Sequence, residues 1–243
     1  VKRLAAALAL VLALAETASA ANLVAWWRLD EATGTALVDS TGNGHGATLV
    51  GTSTLGATGP SAIRFSDPGA ITFSGTGNYA SASGTGFPAT NQAISVSVWF
   101  KLAASPSATG ELVNVAGSGA QQYRISIKPA TNGGQIEVDK NSAVLATAAS
   151  MGFVNGTWYH LATTYNGSTD LIYLNGSQVG SGSVLHDSAA AVTVFLAARN
   201  STTELFAGTL DDIRIFDVAL TADQVTGLAA GGPAGHGGVG AGP

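Results

Sequence analysis

Apolar and polar residues alternate with a period of two through most of this chain. In ISVSVWFKL, Ile94, Val96, Val98, Phe100 and Leu102 share one parity, while Ser95, Ser97, Trp99 and Lys101 share the other. Such a run predicts a strand with one buried face. YRISI repeats the pattern with Tyr123, Ile125 and Ile127. QIEVD is a shorter version, with Ile136 and Val138 on the apolar side and Glu137 and Asp139 toward solvent. TWYHLATTY, DLIYLN, VTVFLAA and GTLDDIRIF complete the set. Asn-Gly pairs beginning at Asn43, Asn132, Asn155, Asn166 and Asn175 punctuate these runs. Asn-Gly favours the positive-φ geometry of hairpin turns, and the sequons at Asn155, Asn166 and Asn175 are read as turn chemistry. Many short strands with regular turns predict an all-β, antiparallel two-sheet sandwich. One short C-terminal helix is expected in LTADQVTGL. There Thr221 and Gln224 form a capping box, Leu220 and Val225 form a hydrophobic staple, and Gly227 limits the length to about two turns.

The ends read differently. Residues 1–20 carry Lys2 and Arg3, an apolar run from Leu4 to Ala15, and then Ala18-Ser19-Ala20. That is the layout of a secretory signal with an A-x-A cleavage site. Its apolar run falls short of the roughly 20 residues of a membrane span. The folded domain is therefore expected over 21–230, secreted to an extracellular or periplasmic space, with no membrane span after cleavage. Residues 231–243 form a Gly-rich tail without periodicity, expected to be disordered, with His236 exposed in it.

Charge and cysteine narrow the chemistry. Without Lys2, Arg3 and Glu16 the chain keeps eight basic and fourteen acidic residues, a net charge of -6. It has no basic patch, which argues against nucleic acid as a partner. Cysteine is absent, so disulfides, thiolate nucleophiles and Cys-zinc sites are excluded. Only 10% of residues are charged, against roughly 25% in ordinary domains. Ser, Thr, Gly and Asn carry the polarity, which suits an extracellular β protein and equally a sugar-facing surface.

Four segments resemble one family. LVAWWRLDEATGTALVDSTGNGHGATL resembles the opening of the laminin G-like, concanavalin A-like jelly-roll domains of secreted bacterial proteins, and ISVSVWFKL their central strand. GTWYHLATTYNGSTDLIYLNGSQVGS is the most specific match, and FAGTLDDIRIFDVALTADQV is similar to the last strand and closing helix. The resemblance spans about Leu23 to Leu228 and implies a jelly roll of two curved antiparallel sheets. It departs from the family at Ala197-Ala198, where a Gly is usual. It does not imply one function, since the family includes glycan-binding modules, adhesion modules and domains appended to hydrolases.

A metal site is expected at DSTGNGHG. Asp39, Thr41 and Asn43 place oxygens at alternate positions and Gly44 follows, but Val50 stands where an EF-hand would have its bidentate glutamate. Asp211 has the parity of Ile213 and Ile215, so it is expected on the buried side of its strand, where a lone carboxylate needs a partner. The resemblance points to a structural calcium between the early Asp turn and the Asp of the final strand. Asp39, Asn43 and Asp211 are thus the expected ligands, and hard oxygens favour Ca2+. The alternative is that Asp39 caps a turn and Asp211 bonds backbone amides.

Catalysis is not expected. Laminarinase-type relatives use Glu-x-Asp-x-Glu or Glu-x-Asp-x-x-Glu, and the nearest match, Glu137-Val138-Asp139, has Asn141 or Ser142 where the acid should stand. No G-x-S-x-G elbow occurs. His160 is read as structural and His186 as a loop residue. For binding, Trp99 stands opposite the aliphatic face of its strand, Trp26 and Trp27 point to opposite faces, and Arg199 and Asn200 lie between strands. The expectation is a non-catalytic module that binds extracellular carbohydrate through residues such as Trp99, Arg199 and Asn200. An adhesion module with a cell-surface protein partner, and a glycosidase or lyase of the same fold, are the alternatives.

Overall fold

The period-two runs form strands in the computed structural model, which describes residues 23–105, 107–118, 122–129, 134–140, 143–183 and 189–232. The expected leader, His186, His236 and most of the Gly-rich tail lie outside the described residues. The first eight strands are β1 Leu23–Trp27, β2 Ala36–Leu37, β3 Ala47–Val50, β4 Thr54–Ala57, β5 Ala70–Ser74, β6 Tyr79–Ser83, β7 Ile94–Leu102 and β8 Gly110–Gly117. They are followed by β9 Gln122–Lys128, β10 Gln135–Lys140, β11 Ala143–Ala148, β12 Trp158–Tyr165, β13 Asp170–Leu174, β14 Ser177–Gly182, β15 Ala191–Leu196 and β16 Ala207–Phe216. Helix α1 is Ala222–Ala229.

All the pairings are antiparallel, in the order β2-β3-β6-β15-β8-β9-β10-β11-β14-β13-β12-β7-β16-β5-β4, with β1 beside β16. Between β11 and β14 the ladder narrows to one pair, Thr147 with Ser181. It folds over there. Strands β3 to β11 make a front layer and β14 to β4 a back layer, which together form a jelly-roll sandwich. Val113, Val115, Ile125, Ile136 and Val138 of the front layer share one core with Val96, Val98, Phe100, Leu161 and Ile215 of the back layer. These are the apolar parities of the sequence pattern. The outer face of the back layer is also covered. Val225 and Leu228 of α1 pack there with Ala162, Tyr173 and Phe216. The helix starts on the expected capping box of Thr221 and Gln224.

Turn chemistry follows the sequence at Asn175-Gly176, where both residues have positive φ, 50° and 83°, between β13 and β14. Ala197 also has positive φ, 62°, though it carries a side chain. Its amide donates to Leu112 O and its carbonyl accepts from Phe206 N, both at 2.9 Å. These bonds hold a left-handed residue where the resembling sequences place Gly, which would adopt that conformation without strain.

Several pairings carry a register shift, and the one in β16 matters most for the expected metal site. β16 pairs with β7 as Leu210↔Phe100 and Asp211↔Trp99, then slips before resuming as Arg214↔Ser97 and Ile215↔Val96. Asp212 sits in the slip with φ 48°. Two residues thus oppose one, a β-bulge that re-aims the side chains beside it. Asp211 therefore leaves the parity of Ile213 and Ile215 and joins Trp99 and Arg214 on the outer face of the back layer.

Phe100 is fully buried and meets both Phe153 and Tyr159, with ring centroids 5.3 and 5.7 Å away. Phe100→Ala is expected to lower unfolding stability by about 3–5 kcal/mol, measured by denaturant melts.

Candidate functional site

The Asp39 loop is a closed hydrogen-bonded turn. Asp39 Oδ1 accepts from the amides of Trp26 and Thr41, at 3.1 and 3.0 Å, and Oδ2 accepts from the amide of His45 at 3.0 Å. The Thr41 hydroxyl also donates to it at 2.7 Å. Burial pushes this carboxyl up, but the donors of Thr41, His45 and Trp26 outweigh burial and hold it below the usual carboxylate range. Asn43 spends its side-chain amide on the carbonyls of Leu23 and Val24, at 3.2 and 2.9 Å. The loop therefore fastens itself to β1 through Asp39 Oδ1 and the side-chain amide nitrogen of Asn43, and closes on itself through Asp39 Oδ2.

Asp211 is brought to a different set of acids. It is fully buried, and neither carboxylate oxygen has a well-formed hydrogen bond beyond the weak pull of the adjacent Asp212 amide. A Cβ built on Gly59 would stand 2.7 Å from Asp211 Oδ2 and 2.7 Å from Asp67 Oδ2. Two carboxylate oxygens thus converge on one point. Asp67 Oδ1 is also buried without a partner. Burial, then the charges of Asp67, Asp212 and Asp30, push the Asp211 carboxyl up to about 10, and the neighbouring Asp212 amide opposes this only in part. Burial and Asp30 push Asp67 up to about 7 against the pull of Arg28. A cavity of about 370 Å³, lined by Gly59, Pro60, Phe65 and Asp67, opens onto the Asp67 side.

Buried, crowded carboxyls whose ionisation is disfavoured are a donor set that a divalent cation fits, by displacing their protons. Among the described residues, no three Asp, Glu or His side chains form a ready-made shell. A bound Ca2+ would therefore use Asp211 and Asp67 with backbone oxygens and water, and Asp30 nearby would add negative charge. Of the expected ligands, Asp211 belongs to this cradle, whereas Asp39 and Asn43 are engaged elsewhere. Asp212, although adjacent, is held by the Trp26 indole N–H and by Arg214 Nη2, 3.0 Å away.

Trp99 is not a binding surface. It is 5% exposed, and its ring meets His160 edge-on with centroids 5.2 Å apart. His160 is fully buried, shares a 2.8 Å hydrogen bond with Ser97 Oγ, and is pushed down to about 3 by burial and by Arg214. These side chains pack the outer face of the back layer. Trp27 is fully buried and Trp26 half-buried, as opposite parity implies.

The front layer presents a different outer face. One row runs across its strands through Ser81, Phe195, Asn114, Arg124 and Asp139. Beside it, Val50 pairs with Tyr79. Tyr79 and Phe195 are half-buried, with ring centroids 6.0 Å apart. A second row holds Glu111, Ser126, Glu137 and Thr147. The charged end of this face is not solvated as the alternation suggested. Asp139 and Glu111 are fully buried and Glu137 is 6% exposed. Arg124 pairs with Asp139 and lies 4.0 Å from Glu111, and Lys128 pairs with Glu137. Burial raises the Asp139 carboxyl against the pull of Arg124 and Lys128. Burial likewise drives Glu111 well above its usual range.

The loop carrying Arg199 and Asn200 closes over this end. Glu204 Oε2 lies 3.1 Å from Arg124 Nη1, and its Oε1 lies 3.2 Å from Arg199 Nη1. Asn114 Nδ2 donates to Arg199 O at 2.6 Å, and Glu111 N donates to Glu204 O at 2.9 Å. Asn200 Oδ1 accepts from the amides of Thr202 and Thr203. Of the expected ligand residues, Arg199 and Asn200 thus stand beside the front face and Trp99 lies in the opposite layer. Tyr79 and Phe195 were not singled out from the sequence. Their signal was an aromatic on the polar parity of YASAS and VTVFL. Asp67 and Asp30 had no signal in spacing.

The family model described as the concanavalin A-like lectin/glucanases superfamily matches residues 74–226. Domain 4 of AbnA, a GH43 extracellular arabinanase from Geobacillus stearothermophilus, solved in complex with arabinotriose, is 25% identical with a TM-score of 0.63, over 86% of this chain and 98% of that one. A Trypanosoma rangeli sialidase mutant displaying trans-sialidase activity is 14% identical with a TM-score of 0.65, over 88% of this chain and 34% of that one. The receptor binding domain of botulinum neurotoxin C/D mosaic serotype is 14% identical with a TM-score of 0.64, over 87% and 52%. This chain thus spans about a third and a half of those last two. A search of curated proteins found no match. Among the described residues, no helix is long and apolar enough to cross a membrane.

The acid cradle predicts a pH dependence. A carboxyl raised in the folded state favours folding below its unfolded value, and that stability is lost as pH rises through the folded value. In chelator, stability should therefore fall from about pH 4 upward, through about 7 for Asp67 and about 10 for Asp211. Asp211→Asn removes the larger contribution, so its Tm in EDTA should vary less with pH and exceed that of the wild type at pH 8. Equal pH slopes in the two proteins would contradict this assignment.

Proposed function

The chain belongs to the concanavalin A-like lectin/glucanase superfamily, and we propose that it is a secreted, non-catalytic module that binds carbohydrate on the outer face of its front layer. One observation carries this reading: in the part-exposed Tyr79–Phe195 pair, Phe195 stands in line with Asn114, beside the anchored Arg199–Glu204 loop. Sugar rings present C–H faces that stack on aromatic rings, and their hydroxyls need donors and acceptors held in place beside the stack. A rigid sheet supplies the platform and a tied loop supplies the wall, so little side-chain entropy is lost on binding. The similarity to an arabinanase domain solved with arabinotriose supports a glycan as ligand.

The carboxylates of this face favour binding over catalysis. Glu137 and Asp139 are engaged by Lys128 and Arg124, and Glu111 and Asp139 have no exposed surface. A glycosidase needs one free nucleophile and one acid flanking an open cleft.

The second element of the proposal is a structural Ca2+ held by Asp211 and Asp67, far from the sugar face. Its task is to neutralise the buried acids of β16 and tie the Gly59–Asp67 segment to that strand.

Tyr79→Ala and Phe195→Ala should each weaken glycan binding at least ten-fold in titration calorimetry while the protein stays folded, with a smaller loss of stability than at the fully buried Phe100. Full retention by both variants would remove the proposed face. Separately, added Ca2+ should raise the Tm of the wild type and EDTA should lower it. Asp211→Asn should abolish the response. An unmoved wild-type Tm would refute the metal.

A further inference from the structure

Charge around the front face bears on which glycans it accepts. This step rests on the carbohydrate reading. Among the described side chains, the cations on or beside the face are Arg124, Lys128 and Arg199. Each already has a carboxylate partner: Asp139 and Glu204 for Arg124, Glu137 for Lys128, and Glu204 for Arg199. Against these three cations stand Glu137, Asp139 and Glu204, with Glu111 beside them as a buried carboxyl whose ionisation burial disfavours. Lys128 reaches a second acid, with Asp139 Oδ2 3.9 Å from its Nζ.

An anionic sugar brought to the Tyr79–Phe195 platform would therefore meet no uncommitted cation among the described residues. Taking Arg124 or Lys128 from its partner would leave a buried carboxylate behind, and taking Arg199 would break its pair with Glu204; both are costly. A neutral sugar escapes this cost. Its hydroxyls donate to carboxylate oxygens and accept from guanidinium and amide N–H without disturbing either charge.

We infer that this face selects uncharged oligosaccharides against uronic-acid or sialic-acid glycans, and that Glu204 sets the discrimination by neutralising Arg199. Glu204 is well placed for that role. It bridges the more exposed of the two guanidiniums, Arg199 with 25% of its side chain accessible, to the buried Arg124. Its own backbone is fixed by the hydrogen bond from Glu111 N, 2.9 Å long, in a left-handed conformation with φ 52°. The charge state of one residue thus decides whether Arg199 is offered to a ligand or held back. Electrostatic selection of this kind works by penalising the wrong partner as much as by attracting the right one.

The test uses the full chain with arabinotriose and cellotetraose as neutral probes and trigalacturonate and 3′-sialyllactose as acidic ones, titrated at low and high salt. The wild type should bind at least one neutral probe, with both acidic probes at least ten-fold weaker at low salt and the gap narrowing as salt screens repulsion. E204Q should narrow the gap several-fold by gaining acidic ligands, a change that loosening of the loop alone would not produce. Acidic probes that bind the wild type as well as neutral ones do would overturn the inference while leaving the carbohydrate reading intact. An unchanged ratio in a folded E204Q protein would overturn the role of Glu204. If E204Q does not fold, the salt dependence of the wild type decides the question, because a salt-independent gap contradicts electrostatic selection. No binding of any probe, while the protein stays folded, would remove the carbohydrate reading itself and this inference with it.

Discussion

The ladder between β7 and β16 is the constraint on which the rest of the structure depends. These strands lie inside the back layer, with β12, β5 and β1 as their other neighbours. Their inward parities supply Val96, Val98, Phe100, Leu210 and Ile215 to the core. Their outward side chains, Trp99 and Phe216 among them, are buried too, beside His160 and the residues of α1. A ladder buried on both faces leaves no room for an unmatched charge. The bulge at Asp212 answers that constraint. It lets Ile213 stay in the core while Asp211 swings out of it, at the expense of a left-handed backbone at one aspartate. Aspartate tolerates that conformation better than most residues.

Asp211 still does not reach water. It emerges beneath the Gly59–Asp67 segment and meets Asp67, with Asp30 nearby, and their mutual repulsion in a dry site raises two carboxyls together. The early Asp39 loop, by contrast, needs no ion. Its carboxylate is filled by amides of its own turn and of β1, and it joins the N-terminal strand to the fold by hydrogen bonds alone. Two acid-bearing segments that look like halves of one site are thus physically distinct, one self-satisfied and one not.

The front layer divides its outer face into two regimes. Toward β6 and β15 the face is aromatic and part-exposed. Toward β8, β9 and β10 it is charged and largely buried, with the Arg199–Glu204 loop tied over Glu111, Asn114 and Arg124. Charges so enclosed persist only as pairs. The same pairing that stabilises them withholds them from a ligand. The wall of the proposed site is therefore firm and electrostatically closed, and the platform beside it remains free to stack.

The amino-acid sequence determined the strands of clean alternation, the inward parities of β7, β9 and β10, the Asn175-Gly176 hairpin and the capping box of α1. Each of these rests on neighbours within a few residues, and period, turn residue and cap are local properties. Strands diluted by Gly, Ser and Thr, such as β6 and β14, were less legible because their side chains carry little contrast. Only the tertiary structure decided the rest. It placed Asp67 rather than Asp39 beside Asp211, buried Trp99 against His160, and turned Glu137 and Asp139 from a solvated strand face into partners of Lys128 and Arg124. Those outcomes depend on a one-residue slip in β16 and on loops folding over sheet faces. A slip changes every parity beyond it, and coverage by a distant loop leaves no periodic trace in the strand it covers.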